Sequence, residues 1–229
     1  GYNALTSLTS AGTIVAIGNE AGASITTAFG ETTLVGTSSG TNLTSGLGTT
    51  AIGWNALSSV TSGSSNTGVG ARALESATTS SNNTALGNRA GQDVTTGSGN
   101  TLFGSYAGNN INTGELNTII GSTSGFSLTT GDHNIALGSS ALNSATTDNN
   151  NVAIGSGALE NQSGASQSNV AIGYKAGHST TDAFRNVFIG EDSGLANTTG
   201  NKNIAIGNSS LVANTTAGSN ISIGYKSMF

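Results

Sequence analysis

Two histidines, eleven carboxylates and no cysteine are the whole stock from which this chain of 229 residues could build a catalytic or metal site. Acid–base or metal chemistry needs such groups to converge. In the repeat frame set out below, His133 lies five residues before a glycine anchor and His178 five after one. No carboxylate accompanies either at a recurring spacing, so both read as surface substitutions. Without cysteine there is neither a disulfide framework nor a thiolate site. The expectation is a protein that is not an enzyme and takes no cofactor or metal.

A second set of residues suits recognition better than reaction. Tyr2, Trp54, Tyr174 and Tyr225 each follow an anchor glycine by one position. Arg72, Arg89, Tyr106, Lys175 and Lys226 follow one by two, as do Glu20 and Asp192. Aromatic rings with a polar handle stack on sugars or on protein surfaces. Most of the variation between repeats falls on this turn-like edge, which makes it the candidate ligand-contact rim. For any single residue, shielding the turn is the simpler role. Arg72 and Glu75, three apart, are placed to pair locally, a contact worth little when exposed.

These residues sit in an unusual background. Only 7% of the chain is charged and 5% aromatic, with 35 glycines, no proline and a formal net charge of −5. An ordinary globular domain carries about 25% charged residues. The composition resembles a flexible linker, yet disorder usually brings high net charge or proline. Six Lys and Arg are too few for a nucleic-acid binder. No run of about 18 apolar residues predicts a membrane span, and the N-terminus lacks the pattern of a signal peptide.

What organises the chain is a repeat. A glycine preceded by an aliphatic or aromatic residue recurs at 18, 36, 53, 70, 87, 104, 121, 138, 155, 173, 190, 207 and 224, and Gly1 fits the same frame. The interval is 17 residues, except 18 for Gly18–Gly36 and Gly155–Gly173; the extra residues belong in turns. Helical repeats need 30 or more residues, and the apolar pattern before each anchor alternates as a strand does. Seventeen residues make a coil of two short strands and two turns. Stacking them gives an all-β parallel β-solenoid of about 13 coils. The segment 1–229 starts on an anchor and stops inside a repeat, which predicts a single repetitive piece of a longer fibrous protein.

The columns of this lattice carry further expectations. The residue just before the anchor is large in every coil and is expected inside. The one before it is mostly small, as at Ala51, Ala85, Ala136, Ala153, Ala171 and Ala205, and is expected to face outward against a neighbouring chain. A single-chain core of this kind is thin, so an oligomer is expected. Where the small position holds Leu34, Leu102, Ile119 or Phe188, the fourth residue after the anchor is glycine (Gly40, Gly108, Gly125, Gly194); elsewhere it is often leucine. Size at one site trades against size at the other, as in shared packed volume. Four before the anchor stand Asn66, Asn83, Asn100, Asn117, Asn134, Asn151, Asn169, Asn186, Asn203 and Asn220, a ladder that can bond along the axis and to turn backbone. The anchor itself predicts positive φ or no room for a Cβ.

Other solenoids fit less well. The hexapeptide acyltransferase solenoid needs an aliphatic residue every six positions, whereas one Ile-Gly-type step occurs per coil here. The Gly-Gly-x-Gly-x-Asp of calcium-binding rolls is absent. An ice-binding face would need two outward threonine ladders at Thr-x-Thr spacing; the Thr-Thr-Gly steps at 95–97, 129–131 and 198–200 read as turns.

Asn-Val-Ala-Ile-Gly at 151–155 and 169–173, with Asn-Ile-Ala-Ile-Gly at 203–207, closely resembles the head repeat of trimeric autotransporter adhesins. With Thr-Thr-Gly between copies it also resembles phage and viral tail-fibre repeats, whose longer coils it matches better. The resemblance spans nearly the whole chain. It implies a left-handed β-roll, three chains about one axis, and display outside the cell on a virion fibre or a cell surface. The implied function is a structural and adhesive fibre segment that meets a glycan or protein receptor. The alternative is a bacterial adhesin head for host or matrix ligands; an ice-binding solenoid ranks below both. Nucleic-acid binding and membrane insertion are not expected.

Overall fold

The computed structural model describes residues 1–10, 12–26, 30–164 and 168–228. Among these there is no helix, and every strand is three or four residues long. The chain is an all-β parallel solenoid on the 17-residue period, in two compact units, 1–115 and 116–229.

The first unit holds β1 (Ile14–Ile17), β2 (Thr32–Val35), β3 (Thr50–Ile52), β4 (Thr67–Val69), β5 (Thr84–Leu86) and β6 (Thr101–Phe103). Each pairs in parallel with the next, in register by repeat position: Ala51 lies against Gly68, Gly68 against Ala85, and Ala85 against Leu102. The second unit holds β7 (Thr118–Ile120), β8 (Ile135–Leu137), β9 (Val152–Ile154), β10 (Val170–Ile172), β11 (Val187–Ile189), β12 (Ile204–Ile206) and β13 (Ile221–Ile223), stacked in the same manner. The extra residues of the two 18-residue intervals fall at or beside 27–29 and 165–167, outside the described residues.

Each coil has one strand, not the two expected. The return side is a run of turns because the backbone is left-handed two and four residues after the anchor. Arg72 (φ 59°) and Leu74 (φ 51°) show this, and a further left-handed residue stands five before the anchor, such as His133 (φ 59°). Alternating hand breaks the extended chain into i to i+3 turns, in which the Ala56 N–H donates to Gly53 O and the Val60 N–H to Leu57 O. Between these, N–H groups reach the next coil, as Leu57 does to Ala73 O and Ser59 to Glu75 O. Ladder bonding therefore continues around the turn side and leaves few backbone groups unpaired.

Anchor glycines have φ between 124° and 141°. A Cβ on Gly53 would sit 2.5 Å from Gly70 O in the next coil. Both reasons for glycine therefore hold together.

The strand faces are the reverse of the expectation. Ala51, Ala85, Ala136, Ala153, Ala171 and Ala205 are fully buried inside the coil. The large residues beside them point out: Leu86 is 49% and Ile52 39% exposed. The reason is space. The coil is narrow, and the side chain four after the anchor (Leu57, Leu74, Leu142, Leu159) fills it from the opposite wall, leaving room for a methyl group. Where that wall is glycine, Leu34, Leu102, Ile119 or Phe188 takes the volume. A Cβ on Gly40 would come within 2.7 Å of Leu34 Cδ2, and one on Gly108 within 2.8 Å of Leu102 Cδ2. Ile25, Leu43, Val94, Ile111 and Leu128 complete this core.

Candidate functional site

The chemistry-bearing residues fall into a buried ladder, a polar pocket in the core of the second unit, and an outer edge. In the ladder, the Asn83 N–H and Nδ2 both donate to Asn66 Oδ1, at 3.1 and 3.3 Å, and Asn83 Nδ2 also reaches Gly97 O at 2.9 Å. Asn100 repeats this on Asn83. In the second unit the pattern runs from Asn117 through Asn134 to Asn151, and onward through Asn169, Asn186 and Asn203 to Asn220. Asn66 through Asn203 are fully buried. Most of these amides accept the next coil's N–H and donate to a carbonyl across the turn, as Asn134 does from Asn151 and to Asp148 O.

One coil of the ladder is built differently. Gln162, fully buried at a repeat position that is aliphatic in the coils before it (Ile111, Leu128, Ala145) and Thr180, Asn197 and Asn214 in those after it, donates from Nε2 to Asp148 Oδ1 at 2.9 Å and to Asn151 Oδ1 at 3.3 Å, and accepts from Asn169 Nδ2 at 3.1 Å. Asp148 stands where most coils have glycine, serine or alanine. Burial raises its pKa, partly opposed by hydrogen bonds from Gln162 and the Thr146 N–H; Asp182 adds to the rise. The arrangement is closed to solvent and holds a polar core together.

The outer edge gathers the predicted rim. Tyr2, Trp54, Tyr174, Tyr225 and Lys226 are exposed, and Arg72, Arg89, Tyr106 and Lys175 half-buried. In the first unit the Arg72 guanidinium lies over Trp54, 4.7 Å from the ring centre, and Arg89 over Tyr106 at 5.4 Å. In the second, Lys175 lies over Tyr174 and Lys226 over Tyr225, each at 5.3 Å. Stacking of this kind holds ring and cation side-on to solvent. Arg72 Nε is 3.8 Å from Glu75 Oε2, the local pair expected. Glu75 has two further partners that spacing did not reveal: Asn55 Nδ2 at 3.1 Å and Gln92 Nε2 at 2.8 Å. They come from the coils before and after; Gln92 shares the repeat position of Glu75, whereas Asn55 stands three positions earlier in its own coil.

The histidine reading changes in one respect. His178 Nε2 lies 3.3 Å from Glu160 Oε2, because the two share a repeat position in successive coils, 18 residues apart. Asn161 Nδ2 contacts His178 Nδ1 at 3.4 Å. The irregular interval hides this pair from a search for recurring spacing. Among the described residues, no three His, Asp or Glu side chains are grouped to hold a metal ion.

Thr44, Thr61, Thr78, Thr129 and Thr198 donate their hydroxyls to carbonyls of the next coil. These hydroxyls serve the turn. No helix of the described residues is long and apolar enough to cross a membrane. No family model, curated protein or solved structure matches the chain.

Proposed function

We propose that this chain is a structural and adhesive segment of a homotrimeric surface fibre, of the phage or viral tail-fibre type, carrying receptor-contacting groups along its edge. The observation behind the reading is the outward sheet face. In β7–β13 thirteen of the fourteen outward positions are Ile, Leu or Val, the exception being Thr118, and none is charged. Soluble monomers rarely leave a continuous apolar face of this kind open. A second copy offers the same face at the same spacing of about 4.8 Å per coil. Copies can therefore pack column against column, and three such faces close around one axis.

The work of such a segment is mechanical. A stiff trimer holds the edge away from its anchorage, outside the cell, and presents each contact three times to a glycan or protein receptor, so weak contacts add as avidity. Sedimentation at micromolar concentration tests the reading. The wild type should run as three chains. Ile172→Glu with Ile189→Glu, both outward, should give folded single chains with an unchanged β-type circular dichroism spectrum. A wild type that sediments as a monomer defeats the proposal.

A further inference from the structure

We propose that the edge of the first unit from Trp54 to Tyr106 is a binding site for an anionic oligosaccharide. Arg72 and Arg89 would meet its carboxylate or sulfate groups, and Trp54 and Tyr106 would stack on its rings. The inference rests on the adhesive reading only in giving the edge a receptor, and it names that receptor's chemistry.

Four consecutive coils contribute one large side chain each, in the order Trp, Arg, Arg, Tyr. The backbone fixes their stacking: the Arg72 N–H donates to Trp54 O, the Arg89 N–H to Ala71 O, and the Tyr106 N–H to Asn88 O. The row spans three coil steps, about 14 Å, long enough for a few linked sugar rings. It places two of the chain's six basic residues in adjacent coils, against a net charge of −5. Both guanidinium groups lie over rings of the same row, which sets cationic and aromatic contacts side by side for a charged sugar.

Neighbouring carboxylates affect the two cations differently. Glu75 pairs with Arg72 at 3.8 Å and also accepts from Asn55 and Gln92 on its two oxygens. No carboxylate of the described residues pairs with Arg89, whose planar fork suits a carboxylate or sulfate. Trp54 remains 49% exposed with Arg72 against its ring. Beside the row, the half-buried Glu75 and Gln92 and the buried Asn109 bond in sequence from coil to coil. Aromatic faces flanked by amides and guanidinium forks match a charged sugar better than a peptide, which would need a groove or an open strand edge.

Binding is measured on the full chain with four probes: a heparin-derived octasaccharide (sulfate and carboxylate), an oligogalacturonate (carboxylate alone), neutral maltooctaose and polyglutamate. At least one charged oligosaccharide should bind, and which one does separates the sulfate source from the carboxylate source. Maltooctaose and polyglutamate should bind at least tenfold more weakly. Arg89→Gln should weaken the bound oligosaccharide about tenfold, and Trp54→Ala should weaken it similarly. Arg185→Gln, in the second unit, should leave it unchanged. Circular dichroism confirms that each variant is folded. Three results overturn the proposal: no binding of either charged oligosaccharide, equal binding of polyglutamate, or equal loss from Arg185→Gln. Sedimentation of the same samples keeps the two readings apart, since a trimer that binds neither sugar removes this site and leaves the fibre.

Discussion

Gly53→Ala is the sharpest test of how the coils are held together. The substitution adds one methyl group, and the geometry fixes where it goes: 2.5 Å from Gly70 O and 2.6 Å from Gly70 C. Restoring an ordinary separation opens the gap between coils by about 1 Å. The Gly70 N–H to Ile52 O bond, now 2.8 Å, then stretches past hydrogen-bonding range. Leaving that donor unmet costs about 1–3 kcal/mol. The backbone adds a second cost, since φ at Gly53 is 139°; holding alanine there costs about 1–3 kcal/mol more. The total is about 2–6 kcal/mol. Two other glycines separate the contributions. Gly224 has a similar φ of 124°, but a Cβ there would meet only Ser227 Cβ at 3.9 Å. Gly48, at φ 61°, has nothing nearer than 3.7 Å. The expected order of damage is Gly53→Ala, then Gly224→Ala, then Gly48→Ala at about 1 kcal/mol. Stacked repeats need not unfold in one step, so the measurement is hydrogen exchange on peptides around each site, supported by urea denaturation. If Gly53→Ala loses no more protection than Gly224→Ala, the coils are not in the contact described, and the account of the anchor fails.

Two further predictions test the interior. Gly40→Leu should destabilise by about 3 kcal/mol through overpacking against Leu34, and adding Leu34→Ala should return most of it, because Leu57 and Leu74 already occupy that position at the same left-handed φ; urea melts of both singles and the double give the coupling. Asp148→Asn should stabilise at neutral pH. Because burial raises the folded pKa above the ordinary 3.8, the stabilisation from a protonated Asp148 is complete below that value and is lost as pH rises through the folded pKa. The difference between variant and wild type should therefore shrink as pH falls toward 4, and a constant difference across pH would refute the assignment.

Period, anchor and asparagine ladder were legible because each is a constraint repeated in every coil. A close contact that must be glycine in coil after coil leaves a mark no single site could. The exchange between Leu34 and Gly40 was legible for the same reason, and it also held the correction to the strand faces. Residues that share volume across the coil must both be inside, so Ala51 and its equivalents face Leu57 and its equivalents. Reading the large residue as the buried one applied a rule for wide cores to a narrow one. The left-handed residues were illegible, because Glu20, Arg72, Tyr106 and Lys175 share a backbone conformation but no side-chain chemistry. Stacking imposes it by aligning each coil on the last. The Glu75 and Glu160 contacts lie between coils and become visible only once the register is known.

The asparagine ladder gives the solenoid a direction of assembly. Within each unit the amide oxygens face the coil that follows in sequence and receive that coil's N–H, and in most coils its side-chain amide as well, as Asn134 Oδ1 does from Asn151. A folded coil thus presents an acceptor placed for the N–H of the coil that follows, and a segment of reversed polarity would find no donor facing it.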